Sequence, residues 1–243
     1  MQDRKIFLTA FIVVGFIVKV VAEFIHEVFG HGLFVLLFGG EITSFNISLL
    51  WPYELSYIEW PPSRFTSAQM AWIYAGGMLA CLSVSFLGQV LLLMKKKVRW
   101  YFAITLFWLA FWTLVNSTGY LIIGGLRPFG DVYTLIRLGV LTSHLSLVIG
   151  LIIFLIGLVT LSWVLSRILS EFFPPRNASL GVTLFWLIIP ALFAVMLANP
   201  ERGLQVVYLP LTFIPALLSF AIRYLMFLSK QETDANPNDV TEE

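Results

Sequence analysis

The chain has 243 residues, of which 59% are hydrophobic and only 12% charged, with a formal net charge of +1. No soluble domain of this size needs so much apolar surface, and several apolar runs exceed the roughly 18 residues that mark a membrane-spanning helix. No basic run is long enough to hold a nucleic acid, and the single cysteine, Cys81, excludes an intrachain disulfide.

Six spanning segments can be drawn, at about residues 6–38, 69–94, 100–123, 143–168, 179–198 and 205–228. The expected fold is an all-α polytopic membrane protein with a short β-strand or hairpin after the first helix. Residues 1–228 form the membrane domain, with a core over 1–140 and additional helices over 141–228. Residues 229–243 are polar and acidic, without apolar periodicity, and read as a disordered tail.

The first segment is about 33 residues, near 50 Å as a helix, against a hydrocarbon core of about 30 Å. It must tilt, kink or project, and Gly30 and Gly32 are the expected place for a break. This segment also carries Lys19, Glu23, His26, Glu27 and His31. Ionisable groups at membrane depth cost roughly 2.5–3.5 kcal/mol each, so such a cluster points to binding or reaction. Lys19 and Glu23, one turn apart, read as a self-neutralising pair; the alternative is a Glu23 carboxylate that orients a histidine.

Next comes Gly39-Gly40-Glu41-Ile42-Thr43-Ser44-Phe45-Asn46-Ile47, a glycine turn followed by β-branched and alternating residues, which reads as a short strand. Trp51-Pro52-Tyr53 to Trp60-Pro61-Pro62 reads as an aromatic belt at the membrane surface, or as a lid beside a site. In the later segments Pro190, Pro210 and Pro215 predict kinks, or starts and stops near an end. His144 reads as an interface histidine and Cys81 as a buried, inert thiol. Lysines and arginines gather at Arg4 and Lys5, at Lys95 to Arg99, at Arg167 and Arg176, and at Arg223 and Lys230. The positive-inside rule then places both termini in the cytoplasm and the histidines toward the outer face.

His26-Glu27-Val28-Phe29-Gly30-His31 has the residue types of a helical zinc motif, with four residues between the histidines instead of three. On an ideal α-helix, i and i+5 lie about 140° apart, which is poor for one shared metal. A π-bulge absorbs one extra residue, and Gly30 lowers the cost of that distortion. The motif resembles that of the dipeptidyl peptidase III family, which carries the same insertion. The wider context resembles the site-2 protease (M50) family of intramembrane metalloproteases over roughly the first 140 residues. Three blocks carry this likeness: His26 to His31 with the following glycine pair and strand, Ala75-Gly76-Gly77-Met78-Leu79-Ala80, and Asn116 to Asp131, ending Arg127-Pro128-Phe129-Gly130-Asp131.

The resemblance implies a zinc peptidase. His26, His31 and Asp131 would be the ligands, and Glu27 the base that takes a proton from water. The 42–49 strand would hold an extended substrate, with Ile42, Ser44, Asn46 and Asn116 as contacts. The implied partners are the lipid bilayer and a membrane-protein or peptide substrate. Read from the residues alone, Asp131 is equally an N-cap for a short helix and Asn116 an interhelical hydrogen bond. The rival functions are a degenerate, partner-binding protease relative and a transporter that uses the buried charges.

Overall fold

The structure, a computed structural model, describes residues 2–49, 56–94, 98–127, 129–197 and 213–235. They fall into two compact units, Met1–Val164 and Leu165–Glu243.

In the first unit the chain begins with α1 (Gln2–Phe24), continues without interruption into a π-helical stretch (Ile25–Gly32), and finishes in α2 (Leu33–Leu37). The glycines at 30 and 32 therefore lie within a continuous helix and do not break it. Two strands follow, β1 (Ser44–Asn46) and β2 (Tyr57–Glu59), then a 3-10 turn at Pro62–Arg64. Next come α3 (Ser67–Met94), α4 (Trp100–Leu126), the short α5 (Gly130–Arg137) and α6 (Ser143–Ser170). Among the described residues four stretches are long and apolar enough to cross a membrane, Asp3–Leu37, Ser67–Met94, Trp100–Leu126 and Ser143–Ser170, as in a multi-pass membrane protein; the expected spans over 179–198 and 205–228 are not among them.

Hydrogen bonds that lipid cannot replace join these helices. Trp108 and Trp112 on α4 donate their indole N–H groups to the carbonyls of Phe11 (2.7 Å) and Gly15 (2.8 Å) on α1. Ser85 on α3 donates to Ala110 O at 2.8 Å, and Ser117 on α4 donates back to Met78 O at 3.0 Å. Ser146 on α6 donates to Leu121 O at 2.8 Å. Small hydroxyl residues and glycines at such crossings let backbones approach closely, which is how helices associate without a hydrophobic driving force. On α5, Val132 and Leu135 pack with Met78 and Leu121, closing one end of the α3/α4 pair.

Past Phe38 the helix ends in a Schellman arrangement. Gly39, at φ +76°, donates to Leu36 O (3.0 Å) and Gly40 donates to Val35 O (2.9 Å). The strands pair antiparallel, Ser44 opposite Glu59, Phe45 opposite Ile58 and Asn46 opposite Tyr57. Beyond β1 the chain turns back along α1, where Lys19 Nζ donates to the carbonyls of Ser48 (3.3 Å) and Leu49 (3.4 Å). Non-helical backbone is tolerated at this level because it is packed against protein and its carbonyls are met. Residues 50–55, including Trp51, Pro52 and Tyr53 of the aromatic stretch, lie outside the described residues.

The second unit contains α7 (Pro175–Leu197) and α8 (Phe213–Ala235). Pro190 lies inside α7, and Pro215 stands in the first turn of α8, where its missing N–H costs nothing. Arg223 on α8 donates to the hydroxyls of Ser179 and Thr183 on α7. The helix α8 runs through Ala235, and residues 236–243 of the expected tail lie outside the described part. Pro210 and the 198–212 stretch also lie outside it.

Candidate metal centre

Four elements position the site: the π-helical stretch, α3, α4 and α5. In the π-helical stretch the Leu33 N–H reaches Val28 O, an i→i+5 bond in place of i→i+4. The widened turn brings residues five apart back toward one face, so His26 and His31 share it. The distortion extends over the full eight residues, Ile25–Gly32, rather than a single bulge.

His26 Nε2, His31 Nε2 and Asp131 Oδ2 form a nearly equilateral triangle. Its sides are 3.1 Å (His26–Asp131), 3.2 Å (His26–His31) and 3.3 Å (His31–Asp131). All three residues are buried, between 1% and 8% exposed. Asp131 reaches the histidines because Gly130, at φ +54°, turns the chain at the start of α5 and sets the carboxylate in its first turn. The residue that caps this helix is Phe129, without a side-chain hydrogen bond, so Asp131 is not its N-cap. Burial alone would push the Asp131 carboxyl up; the adjacent His31 and His26 outweigh burial and hold it well below the usual carboxylate range.

The donor set fits a metal ion. His31 Nδ1 lies 2.7 Å from the Ile73 carbonyl, which can only accept, so Nδ1 carries a proton and Nε2 is the nitrogen that faces the triangle. This is also the outer hydrogen bond that metal-ligating histidines use to set their tautomer. Two imidazole nitrogens and a carboxylate oxygen, all atoms that can donate an electron pair to a metal, thus converge in a buried space. A tetrahedral zinc with bonds of about 2.0 Å needs ligands roughly 3.3 Å apart, close to the observed triangle. His26 Nδ1 is buried and finds no hydrogen-bond partner among the described residues; the Cys81 thiol, buried on α3, lies within interacting distance of the ring.

The rings are held from the sides. Tyr120 on α4 stacks on His26 with centroids 4.9 Å apart and planes 17° from parallel, and Phe129 stacks on the other side of Tyr120 at 5.4 Å. Trp60 and Tyr74 approach His31 at 6.0 and 6.4 Å. Gly77 on α3 lies directly against the two imidazoles, where a methyl group would come within 2.6 Å of His26 Nε2 and 2.8 Å of His31 Nε2. Gly30 meets the same glycine, since a Cβ there would come within 2.3 Å of Gly77 Cα. Close approach, not backbone freedom, is therefore the reason for glycine at position 30. The Gly76-Gly77 pair within an apolar helix is the signal that could have identified this contact.

Glu27 is buried and lies within electrostatic reach of His26, His31 and Asp131. Glu23 and Asn116 occupy a separate seam along α1 and α4, where Asn116 Nδ2 donates to Glu23 Oε1 at 3.2 Å. Asn116 thus makes the interhelical hydrogen bond and does not join the triangle, although its Oδ1 has no partner among the described residues. Glu23 takes this amide, while Lys19 is drawn to the 48–49 carbonyls, so the pair read from sequence is part of a wider network. Ile42 is half-buried, its Cδ1 against Gly32; Ser44 donates to Glu59 at 2.5 Å; Asn46 lies in the strand pairing. His144 is exposed at the start of α6 and is not among the converging donors. Comparison of the chain with protein-family models, curated proteins and solved structures found no match.

Proposed function

We propose that this protein is an intramembrane zinc metallopeptidase of the site-2 protease kind, which hydrolyses peptide bonds of membrane-associated substrates. The observation that carries the reading is the buried triangle of His26, His31 and Asp131 with the Glu27 carboxylate beside it. Its place in a set of apolar helices supports a substrate drawn from the bilayer.

His26, His31 and Asp131 would hold the ion, with His31 fixed by the Ile73 carbonyl and His26 by the Tyr120 face. Zinc supplies Lewis acidity when bound, acidifying water and polarising a peptide carbonyl. Glu27 receives the proton of the attacking water on its carboxylate and passes it to the leaving amine nitrogen. Burial of the donors limits bulk water and strengthens each of these interactions. The β1/β2 hairpin lies next to the π-helical stretch, with Ile58 packed on Gly32, so an extended peptide can align with strand backbone close to the site. Loop charges support cytoplasmic termini, with the site toward the opposite face.

The test is elemental analysis of purified protein. One zinc per chain is expected, and loss of it in His26→Ala, His31→Ala and Asp131→Ala. Wild-type protein that purifies without metal and takes up none from zinc-containing buffer would sink the reading. Full zinc in wild type with no cleavage of any membrane peptide would instead favour a non-proteolytic, partner-binding relative.

A further inference from the structure

An open cleft of about 400 Å³ lies beside the metal centre, lined among others by Thr43, Glu59, Trp60, Pro61, Pro62 and Tyr74. We propose that it is a specificity subsite for one long cationic side chain, lysine or arginine, of the peptide substrate. This rests on the peptidase reading above.

Position comes first. Trp60 and Tyr74 both line it, packed edge to face on each other with ring centroids 5.5 Å apart and planes 63° from parallel, and both also approach His31. Whatever enters the cleft therefore sits one ring away from a proposed metal ligand, and belongs to a residue close to the scissile bond. The volume is near the lower end of ligand pockets, which span about 300–1,000 Å³, so it suits a single side chain rather than a folded partner.

Chemistry then selects the occupant. Two aromatic side chains and two pyrrolidine rings offer apolar cover to an aliphatic stem and π electron density to a cation. The charged group of the lining is the Glu59 carboxylate, which is met by the Ser44 hydroxyl at 2.5 Å, a neutral donor that leaves its charge in place. The neighbouring cation of the 3-10 turn, Arg64, is bound to Glu41 at 3.1 Å. The cleft thus combines an apolar lining with one negative charge that, among the described residues, is paired with no cation. A lysine or arginine meets both, a leucine or phenylalanine only the first, and an acidic residue neither.

The experiment uses the full chain in detergent with zinc, and quenched peptides that differ at one position near the cleavage site: arginine, its neutral isostere citrulline, norleucine or glutamate. In parallel, fluorescein-labelled forms of the same peptides are titrated into the Glu27→Gln protein by anisotropy, which needs no turnover. Arginine is expected to be favoured over citrulline by about tenfold in both assays, a ratio that falls to about one in Glu59→Gln and turns toward glutamate in Glu59→Arg. Zinc content reports that these variants retain their fold. Cleavage with equal use of arginine and citrulline, or a preference that survives Glu59→Gln, overturns the proposal. Glu59-dependent binding of the arginine peptide without any cleavage by wild type leaves the subsite standing and overturns the peptidase reading. Neither binding nor cleavage overturns both.

Discussion

Gly77→Ala is expected to weaken metal binding at the proposed centre. The new methyl would lie 2.6 Å from Cε1 and Nε2 of His26 and 2.8 Å from His31 Nε2, well inside van der Waals contact. Neither imidazole has a free direction of retreat. His26 is stacked on Tyr120 and faces Asp131, and His31 is tied through Nδ1 to the Ile73 carbonyl. The backbone cannot widen cheaply either, because Gly30 and Gly77 already meet at their Cα atoms. Overpacking of about 1–3 kcal/mol directed at the donor atoms corresponds to roughly 5- to 150-fold weaker metal binding. Zinc titration with a competing chelator measures it. The control is Gly119→Ala on α4, where an added Cβ meets nothing within 4 Å and affinity should stay at the wild-type level. Wild-type affinity in Gly77→Ala would show that the donors do not close on a metal as this arrangement requires.

Glu27→Gln is expected to separate binding from chemistry. The side chain is buried beside the triangle without belonging to it, so the isosteric amide should leave zinc at one per chain. On the proposed peptidase reading, loss of the group that would accept and return a proton should lower turnover by about 10²- to 10⁴-fold. Cleavage of a transmembrane peptide by protein of verified zinc content measures the effect. Turnover within a few-fold of wild type would remove Glu27 from the reaction and assign the proton to another group.

Much of this arrangement could be read in the sequence because charges are costly in membrane helices. Lys19, Glu23, His26, Glu27 and His31 stand out from an apolar run, and of the six spans drawn from sequence four are long and apolar enough among the described residues. Asp131 is legible only through the family likeness, since nothing local links a residue 105 positions away to His26. What local pattern could not convey is contact. Lys19 has a nearby carboxylate in sequence, yet its hydrogen bonds go to carbonyls 29 and 30 residues on, because the hairpin turns back along α1. Gly77 carries no chemistry of its own, and its role is the space it leaves. Trp60 belongs to a stretch that reads equally well as a membrane belt, and only its packing against Tyr74 and His31 places it at a cleft.

The π-helical stretch also bears on how such motifs should be counted. An α-helix brings residues four apart to one face, and a π-helix does the same for residues five apart. Inserting one residue between the histidines therefore need not separate them, provided the helix changes its winding over the same stretch. Here the change begins one residue before His26 and ends one after His31, and ordinary α-helix resumes at Leu33. The quantity that a metal imposes on the chain is an angle around an axis, not a spacing in letters. A helix that can switch winding tolerates an insertion inside a motif that, read as text, would look broken.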